Sequence, residues 1–365
     1  MPISEAPKQT YRMPAEWEPH EAVWLQWPDS GMRGTPAYAR RLLTSWLEMA
    51  AILADHVTVR IAATGEAAAA GVARDCARFG VNMKRLQVLA IPVDDVWARD
   101  TGPVFVKGPG GKLAVTDWNF NGWGDGGAIE KDRQVPAAIA KLYGLERLAG
   151  GITTEGGALE VNGTGTLLAT RSSILNPNRN PGTSQGDAEA TLAELLGITN
   201  FIWLSGAPPD TCYSLGDVTD FHIDLVARFA GRNAVLASHT DDAADPRKPY
   251  IDRHMAELKA AADETGKPLE VIALPTPRML SISTVNFSGD HPSAGPGSHT
   301  DASYANYLVT NGLVLVPAYG QPEDARAKAI IAEHFPGREV IGISAISLTE
   351  QGGAIHCVTQ QQPAV

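Results

Sequence analysis

The stretch Val104–Val115, VFVKGPGGKLAV, sets the pattern of the fold, because two short apolar runs flank a turn that is rich in glycine. Glycine and asparagine tolerate the positive φ angles of tight hairpins, so the stretch predicts two antiparallel strands. The same arrangement recurs at Ala158–Thr170, Leu225–Ala237 and Tyr307–Pro317. We therefore expect four hairpins spread along the chain.

Helical and strand patterns alternate around these hairpins. Amphipathic periodicity predicts helices at Ala37–Asp55, Ala67–Phe79, Val135–Tyr143, Asp187–Leu196, Tyr250–Glu264 and Pro322–His334. Short apolar strands are predicted at Ala22–Trp27, Val57–Ala62 and Leu86–Ile91. Hairpin, helix and strand recur every roughly 50 to 85 residues, which indicates a cyclic or repeated α/β architecture. The pattern alone does not count the units.

The composition excludes several classes of protein. The chain has 365 residues, of which 44% are hydrophobic and 19% are charged, and it holds no apolar run long enough to span a membrane. Its net charge of −11 disfavours nucleic acids and anionic membrane surfaces as partners. Residues 1–12 are polar and lack the apolar core of a secretory signal, so we expect a cytoplasmic protein.

Three cysteines are present, Cys76, Cys212 and Cys357. An odd and sparse set does not form a disulfide framework and fits a reducing compartment. No spacing of cysteine or histidine indicates a structural zinc site. Cys76 falls in a helical pattern and is expected in the core, and Cys212 lies in a loop. Cys357 comes shortly after Gly352-Gly353, and it is either a nucleophile or a small buried side chain.

Polar residues lie at the mouths of the hairpins. In a repeated architecture the equivalent ends of the units converge, so one pocket could hold Asp100, Glu155, His222, Asp224, Asn306 and Cys357. On a strand, His222 and Asp224 would share a face, which places an acid/base beside a carboxylate; a surface pair is the alternative. His356 would face away from Cys357 on a strand, so we assign it no catalytic role.

Three tryptophans lie near carboxylates in loop-like stretches: Trp97, Trp118 and Trp123. They could form an apolar wall that attracts a cation through its aromatic faces. Packing in the core or at its rim is the alternative for each of them.

The chain resembles the agmatine deiminase and bacterial peptidyl-arginine deiminase family, within the guanidine-modifying pentein superfamily. The matching motifs are YRMPAEWEPH (Tyr11–His20), VWARDTGP (Val96–Pro103), FNGWG (Phe120–Gly124), EGG (Glu155–Gly157), NPNRNP (Asn176–Pro181), HID (His222–Asp224) and IHCVTQQQP (Ile355–Pro363). The resemblance implies a five-bladed α/β propeller of pseudo-fivefold ββαβ units with mixed sheets, as one catalytic domain over residues 1–365. It also implies a homo-oligomer that needs no cofactor or metal.

The resemblance implies roles for the candidate residues. Cys357 is the expected nucleophile, His222 the general acid/base, and Asp100 and Asp224 the carboxylates that grip a guanidinium. Glu155 is expected to support His222. Substrate contacts are expected from Trp97, Asn306, Trp123 and Phe221.

The implied reaction is hydrolysis of agmatine, a small cation, to N-carbamoylputrescine and ammonia through a covalent thiouronium on the cysteine, a step in polyamine and putrescine synthesis. Three departures from the family pattern bear on the substrate: Phe221, Asp29–Gly34 and Glu350–Ala354. Another small guanidino compound and peptidyl-arginine therefore stay open as substrates. A Cys-His-Asp acyl-transfer hydrolase and a non-catalytic binding module are the alternatives outside deiminase chemistry.

Overall fold

A repeated strand arrangement organises the computed structural model, which describes residues 11–28, 36–124, 129–208, 217, 219–281, 299–300 and 302–365. Within these ranges, five mixed sheets share one connectivity, in which a central strand pairs antiparallel on one side and parallel on the other. The α/β class and the fivefold repeat implied by the family resemblance are therefore confirmed.

Except for β18, the strands of the five sheets follow the chain order. The first sheet holds β1 (His20–Gln26), β2 (Thr58–Ala63), β3 (Leu86–Ala90) and β18 (Thr359–Pro363); the second holds β4 (Val104–Lys107), β5 (Leu113–Asp117) and β6 (Glu146–Ala149); the third holds β7 (Glu160–Val161), β8 (Thr166–Thr170) and β9 (Asn200–Leu204); the fourth holds β10 (Ala227–Phe229), β11 (Ala234–His239) and β12 (Glu270–Pro275); the fifth holds β15 (Leu308–Thr310), β16 (Leu313–Ala318) and β17 (Glu339–Ser344). A separate pair joins β13 (Leu280–Ser281) and β14 (His299–Thr300). All four predicted hairpins are present.

In each sheet, a helix connects the two strands of a parallel pair. The longer ones span Pro36–His56, Glu66–Phe79, Val135–Tyr143, Gln185–Leu196, Lys248–Lys259 and Glu323–His334, and single turns span Ala98–Thr101, Arg171–Ile174, Ile223–Val226 and Ile346–Thr349. The helix predicted to reach Glu264 ends at Lys259, because the Asp263 carboxylate accepts hydrogen bonds from the Thr265 and Lys267 N–H groups at 2.8 and 3.0 Å. These local bonds favour a turn over a further helical turn.

The two ends of the described chain meet in the first sheet. Strand β18 pairs antiparallel with β1, so the segment that carries Cys357 enters the same sheet as the N-terminal strand. The helix Pro36–His56 packs Leu42, Trp46 and Met49 into the largest apolar core, on one face as helical periodicity requires. Burial of each such side chain stabilises the fold by about 1.5–3 kcal/mol.

No helix in the described part of the chain combines the length and the apolar character that a membrane crossing demands.

Candidate active site

Cys357 lies in a tight turn immediately before β18. The amide oxygen of Asn306 accepts hydrogen bonds from the His356 and Cys357 N–H groups at 3.0 and 3.3 Å, which fixes the turn. The amide nitrogen of the same Asn306 donates to Cys357 Sγ at 3.2 Å and to Asp224 Oδ2 at 3.1 Å. Asp224 Oδ2 itself lies 3.8 Å from the sulfur. One asparagine thus aligns the thiol with a carboxylate.

His222 and Asp224 meet through a helical turn. The prediction that they share the face of a strand is wrong, because Ile223–Val226 is a single turn of helix that begins directly after His222. Asp220 and Phe221 adopt positive φ angles of 60° and 61° just before it. The buried carboxylate of Asp217 accepts hydrogen bonds from the N–H groups of Thr219, just before this kink, and of Phe221 within it, which stabilises a conformation that L-residues rarely adopt.

Asp100 faces His222 across the pocket. It lies on the single helical turn Ala98–Thr101, and its Oδ1 is 3.8 Å from His222 Nδ1. The Gly157 N–H donates to the same Oδ1 at 3.1 Å, and Trp123 Nε1 donates to Oδ2 at 3.0 Å. A Cβ at position 157 would lie 2.6 Å from His222 Nδ1, so only glycine permits this approach. The EGG motif therefore provides both an acid and the space beside it.

Glu155 contacts the other side of the His222 ring. Its Oε2 lies 3.3 Å from His222 Nε2, and its two oxygens accept from Arg179 Nε at 2.9 and 3.1 Å. Arg179 also pairs with Asp220 at 2.6 Å, and its side chain is fully buried. The NPNRNP motif thus holds the carboxylate that contacts the His222 ring.

The electrostatics of the pocket favour a cationic guest. Burial would lower the pKa of His222, but the negative charges of Asp100 and Glu155 outweigh burial and raise the pKa to about 9. Burial, together with the nearby carboxylates of Asp224 and Glu155, raises the pKa of Asp100 to about 6. The positive charge of His222 opposes this rise. Burial, followed by the charges of Asp224 and Asp100, raises the pKa of the Cys357 thiol well above its ordinary value. A cation bound between the acids would lower the pKa of the Cys357 thiol again.

His356 belongs to the site, although sequence reasoning gave it no catalytic role. Its Nδ1 lies 2.7 Å from Asp224 Oδ2, and its Nε2 lies 2.8 Å from Glu16 Oε2. The expectation of an extended strand was wrong here, because the backbone turns at Ile355–Val358 before β18 begins. Glu16 was missed as well. Both residues lie inside motifs that matched the family, and this was the signal in the sequence that could have identified them as site residues.

Comparisons with known proteins agree with this geometry. The sequence model of the Porphyromonas-type peptidyl-arginine deiminase family matches residues 12–363. The chain belongs to this family. It is 36% identical over 376 residues to the agmatine deiminase of Stutzerimonas stutzeri strain A1501, covering 99% of this chain and 98% of that protein. It is 34% identical to the agmatine deiminase of Pseudomonas aeruginosa strain LESB58, covering 100% and 98%.

A solved structure shares the fold over the same extent. The agmatine deiminase of Enterococcus faecalis superposes with a TM-score of 0.87 at 27% sequence identity, covering 97% of this chain and 96% of that one. The shared fold therefore extends over all five sheets.

The aromatic residues divide between the pocket and the core of this deiminase-family fold. A Cβ at Gly353 would lie 2.5 Å from the Trp97 ring and 2.9 Å from Cys357 Cβ, so this glycine lets the ring and the thiol lie close together. Trp123 reaches Asp100, as described above. Trp118 belongs to a separate core cluster. Phe221 also packs in the core, with its ring 5.9 Å from Tyr250 and 5.8 Å from His254, and the structure does not bring it to the sulfur.

Other candidates are core residues or lie outside the described ranges. Cys76 is fully buried in the largest core cluster, as expected. Cys212 and the departure Asp29–Gly34 fall outside the described residues, as does nearly all of Ser288–His299, whose richness in glycine, proline and serine indicates a long surface loop. Among the residues that the structure describes, no group of three or more His, Cys, Asp and Glu side chains is arranged to hold a metal ion.

Proposed function

We propose that this protein hydrolyses agmatine to N-carbamoylputrescine and ammonia through a covalent intermediate on Cys357. The observation that carries the proposal is the meeting of one thiol, one imidazole and two buried carboxylates in one cluster of side chains. Such a set fits a flat cation, because carboxylates bind guanidinium nitrogens by charge-assisted hydrogen bonds and fix the carbon over the sulfur. The relatives named as agmatine deiminases support agmatine as the substrate.

The first half of the reaction forms the covalent intermediate. The bound guanidinium and the cationic His222 lower the pKa of the Cys357 thiol, which loses its proton to solvent. The Asn306 amide donates to the sulfur and stabilises the thiolate. The thiolate attacks the guanidinium carbon and gives a neutral tetrahedral adduct. His222 then donates a proton to the departing nitrogen, ammonia leaves, and an S-alkylthiouronium cation remains on the cysteine.

The second half releases the product. Neutral His222 accepts a proton from water as the oxygen attacks the thiouronium carbon. The resulting adduct expels the Cys357 thiolate, and loss of the hydroxyl proton leaves the ureido product. His222 ends protonated, as it began. No step draws on an oxidant or a co-reactant other than water.

Acyl transfer by a Cys-His-Asp set fits the geometry less well. That chemistry develops an oxyanion, which needs hydrogen-bond donors around the reacting carbon. Here the sulfur lies 3.8 Å from Asp224 Oδ2, and Asp100 Oδ1 lies 3.8 Å from Nδ1 of the His222 imidazole. Two carboxylates would repel an oxyanion and attract a cation.

Substrate choice is tested by a kinetic panel. Agmatine, arginine, shorter guanidino amines, guanidino acids and a peptidyl arginine would be compared by release of ammonia and of ureido product. Cys357 is only 5% exposed, which favours a small free substrate over an arginine within a protein chain. We expect the highest kcat/KM for agmatine. A higher kcat/KM for another guanidino compound would identify that compound as the substrate in place of agmatine. Hydrolysis of an amide or ester without deimination would overturn the proposal.

We extend the proposal to four properties of the whole protein. The chain acts as a single catalytic domain over residues 1–365, it assembles as a homo-oligomer, and it works in the cytoplasm without a cofactor. Light scattering of the purified protein tests the assembly, and activity after exhaustive chelation tests independence from metal.

A further inference from the structure

We propose that His356 is a positioning residue that fixes Asp224 against the guanidinium, and that Glu16 in turn holds His356. The proposal rests on the proposed function, because it assigns the alignment of that same site. The three side chains form one line, with Nδ1 of His356 2.7 Å from Asp224 and Nε2 2.8 Å from Glu16. All three are buried.

The hydrogen bonds of this line hold the ring of His356 between two acceptors. An ionised carboxylate accepts hydrogen bonds, and each ring nitrogen of His356 has a carboxylate oxygen within hydrogen-bond distance. Both acids are held in the ionised form. Burial would raise the pKa of Asp224, but its hydrogen bond with His356 lowers it. Burial would also raise the pKa of Glu16, but the charges of Arg228 and His356 hold it well below its ordinary value.

Further charges fix Glu16 from behind. Arg228 Nη2 donates to Glu16 Oε2 at 2.8 Å, and Arg228 Nε donates to Glu160 Oε2 at 2.7 Å. Hydrogen-bond acceptors and donors alternate along the line Asp224, His356, Glu16, Arg228 and Glu160. Each group therefore stabilises the next, and the His356 ring cannot turn without breaking two charge-assisted bonds.

The two oxygens of Asp224 have different surroundings, and this difference gives the line a function. Oδ2 contacts His356, Asn306 and the Cys357 sulfur. Oδ1 is buried and has no hydrogen-bond partner among the described residues. An unpaired buried carboxylate oxygen is costly, and a guanidinium N–H would satisfy it. By occupying Oδ2, His356 directs Oδ1 toward the substrate.

Two substitutions at position 356 separate the two ends of the line. His356→Asn places an amide near the former Nδ1 and keeps a donor to Asp224, whereas His356→Gln places it near Nε2 and keeps a donor only to Glu16. We expect kcat/KM to fall about 10- to 100-fold in H356Q and distinctly less in H356N, because only the former leaves Asp224 Oδ2 without the ring donor. His254→Gln is the matched control, since His254 is equally buried and lies in another core cluster beside Phe221 and Met255.

Binding of agmatine to the Cys357→Ala protein isolates the effect from turnover. Calorimetry should show weaker binding after His356→Gln and after Asp224→Asn, and the double variant should bind no more weakly than Asp224→Asn alone. If His356 had a purely structural role, H356N and H356Q would both lower Tm, and their KM values would not differ in the expected direction. Additive losses, or equal activity of the two variants, would overturn the positioning role. An enzyme that releases no ammonia from any guanidino compound would instead overturn the proposed function.

Discussion

Two regions of the site repeat one arrangement and differ in how tightly it is held. The His222 arm consists of Asp100, His222, Glu155 and Arg179, and the His356 arm consists of Asp224, His356, Glu16 and Arg228. Each places an imidazole between two carboxylates and backs the outer carboxylate with a buried arginine.

The distances separate their roles. His222 lies 3.8 and 3.3 Å from its two acids, whereas His356 lies 2.7 and 2.8 Å from its own. A separation of 3.8 Å is too long for a hydrogen bond, so His222 keeps a nitrogen for the reacting groups. His356 has both nitrogens occupied. Under the proposed mechanism, the loosely held imidazole of His222 is the proton carrier and the tightly held imidazole of His356 is the anchor.

The largest effect is expected where the arms meet. Cys357→Ala should lower kcat about 10⁴-fold or more, because no other described thiol reaches the pocket. Agmatine should still bind, since both carboxylates remain. Product release is measured by ammonia assay, and binding by calorimetry. Persistent turnover by this variant would remove the covalent mechanism.

Next in size is the loss of the proton carrier. His222→Gln should lower kcat about 10²- to 10⁴-fold, because no group then protonates the departing nitrogen. Asparagine at position 356 provides the comparison from the other arm, and we expect it to affect KM more than kcat.

The pH profile of kcat/KM gives a second measure of the His222 arm. With a pKa of about 9, His222 is protonated at lower pH and loses the proton above that value. With a pKa of about 6, Asp100 is ionised at higher pH and loses its charge below it. We expect kcat/KM to fall above about pH 9 and below about pH 6, as properties of the coupled pair, and the proton that Cys357 releases on binding adds to the rise with pH. A profile that rises continuously through pH 10 would contradict His222 as the acid.

A matched pair of substitutions tests the outer acids of the two arms. Glu155 raises the pKa of His222 through its hydrogen bond and its charge, so Glu155→Gln should move the alkaline limb to lower pH. Glu16→Gln should weaken agmatine binding about tenfold and leave that limb in place, because Glu16 acts on His356. After Glu155→Gln, Arg179 still pairs with Asp220, and after Glu16→Gln, Arg228 still pairs with Glu160. Equal shifts in the two variants would remove the distinction between the arms.

The sequence supplied more of the His222 arm than of the His356 arm. Hairpin turns and helical periodicity are local properties, so the hairpins and most helix bounds were predicted closely. The repeat indicated that distant stretches converge, and the family motifs supplied five blades. His356 was misjudged because its role depends on one backbone turn, which places the ring toward Asp224 instead of away from it. Glu16 contacts His356 across 340 positions of sequence, and no local pattern reports such a contact.

The smallest expected effect concerns the one aromatic donor on the His222 arm. Trp123 Nε1 donates to Asp100 Oδ2 at 3.0 Å, and this bond lowers the pKa of Asp100 against the larger effect of burial. Trp123→Phe keeps the ring and removes the donor. The pKa of Asp100 should then rise further, so the acid limb of kcat/KM should move to higher pH, with a loss of roughly two- to tenfold near neutral pH. The alkaline limb should stay, because the contact of His222 with Glu155 is unchanged. A loss that is independent of pH would mean that Trp123 serves as a wall of the pocket and not as a donor to Asp100.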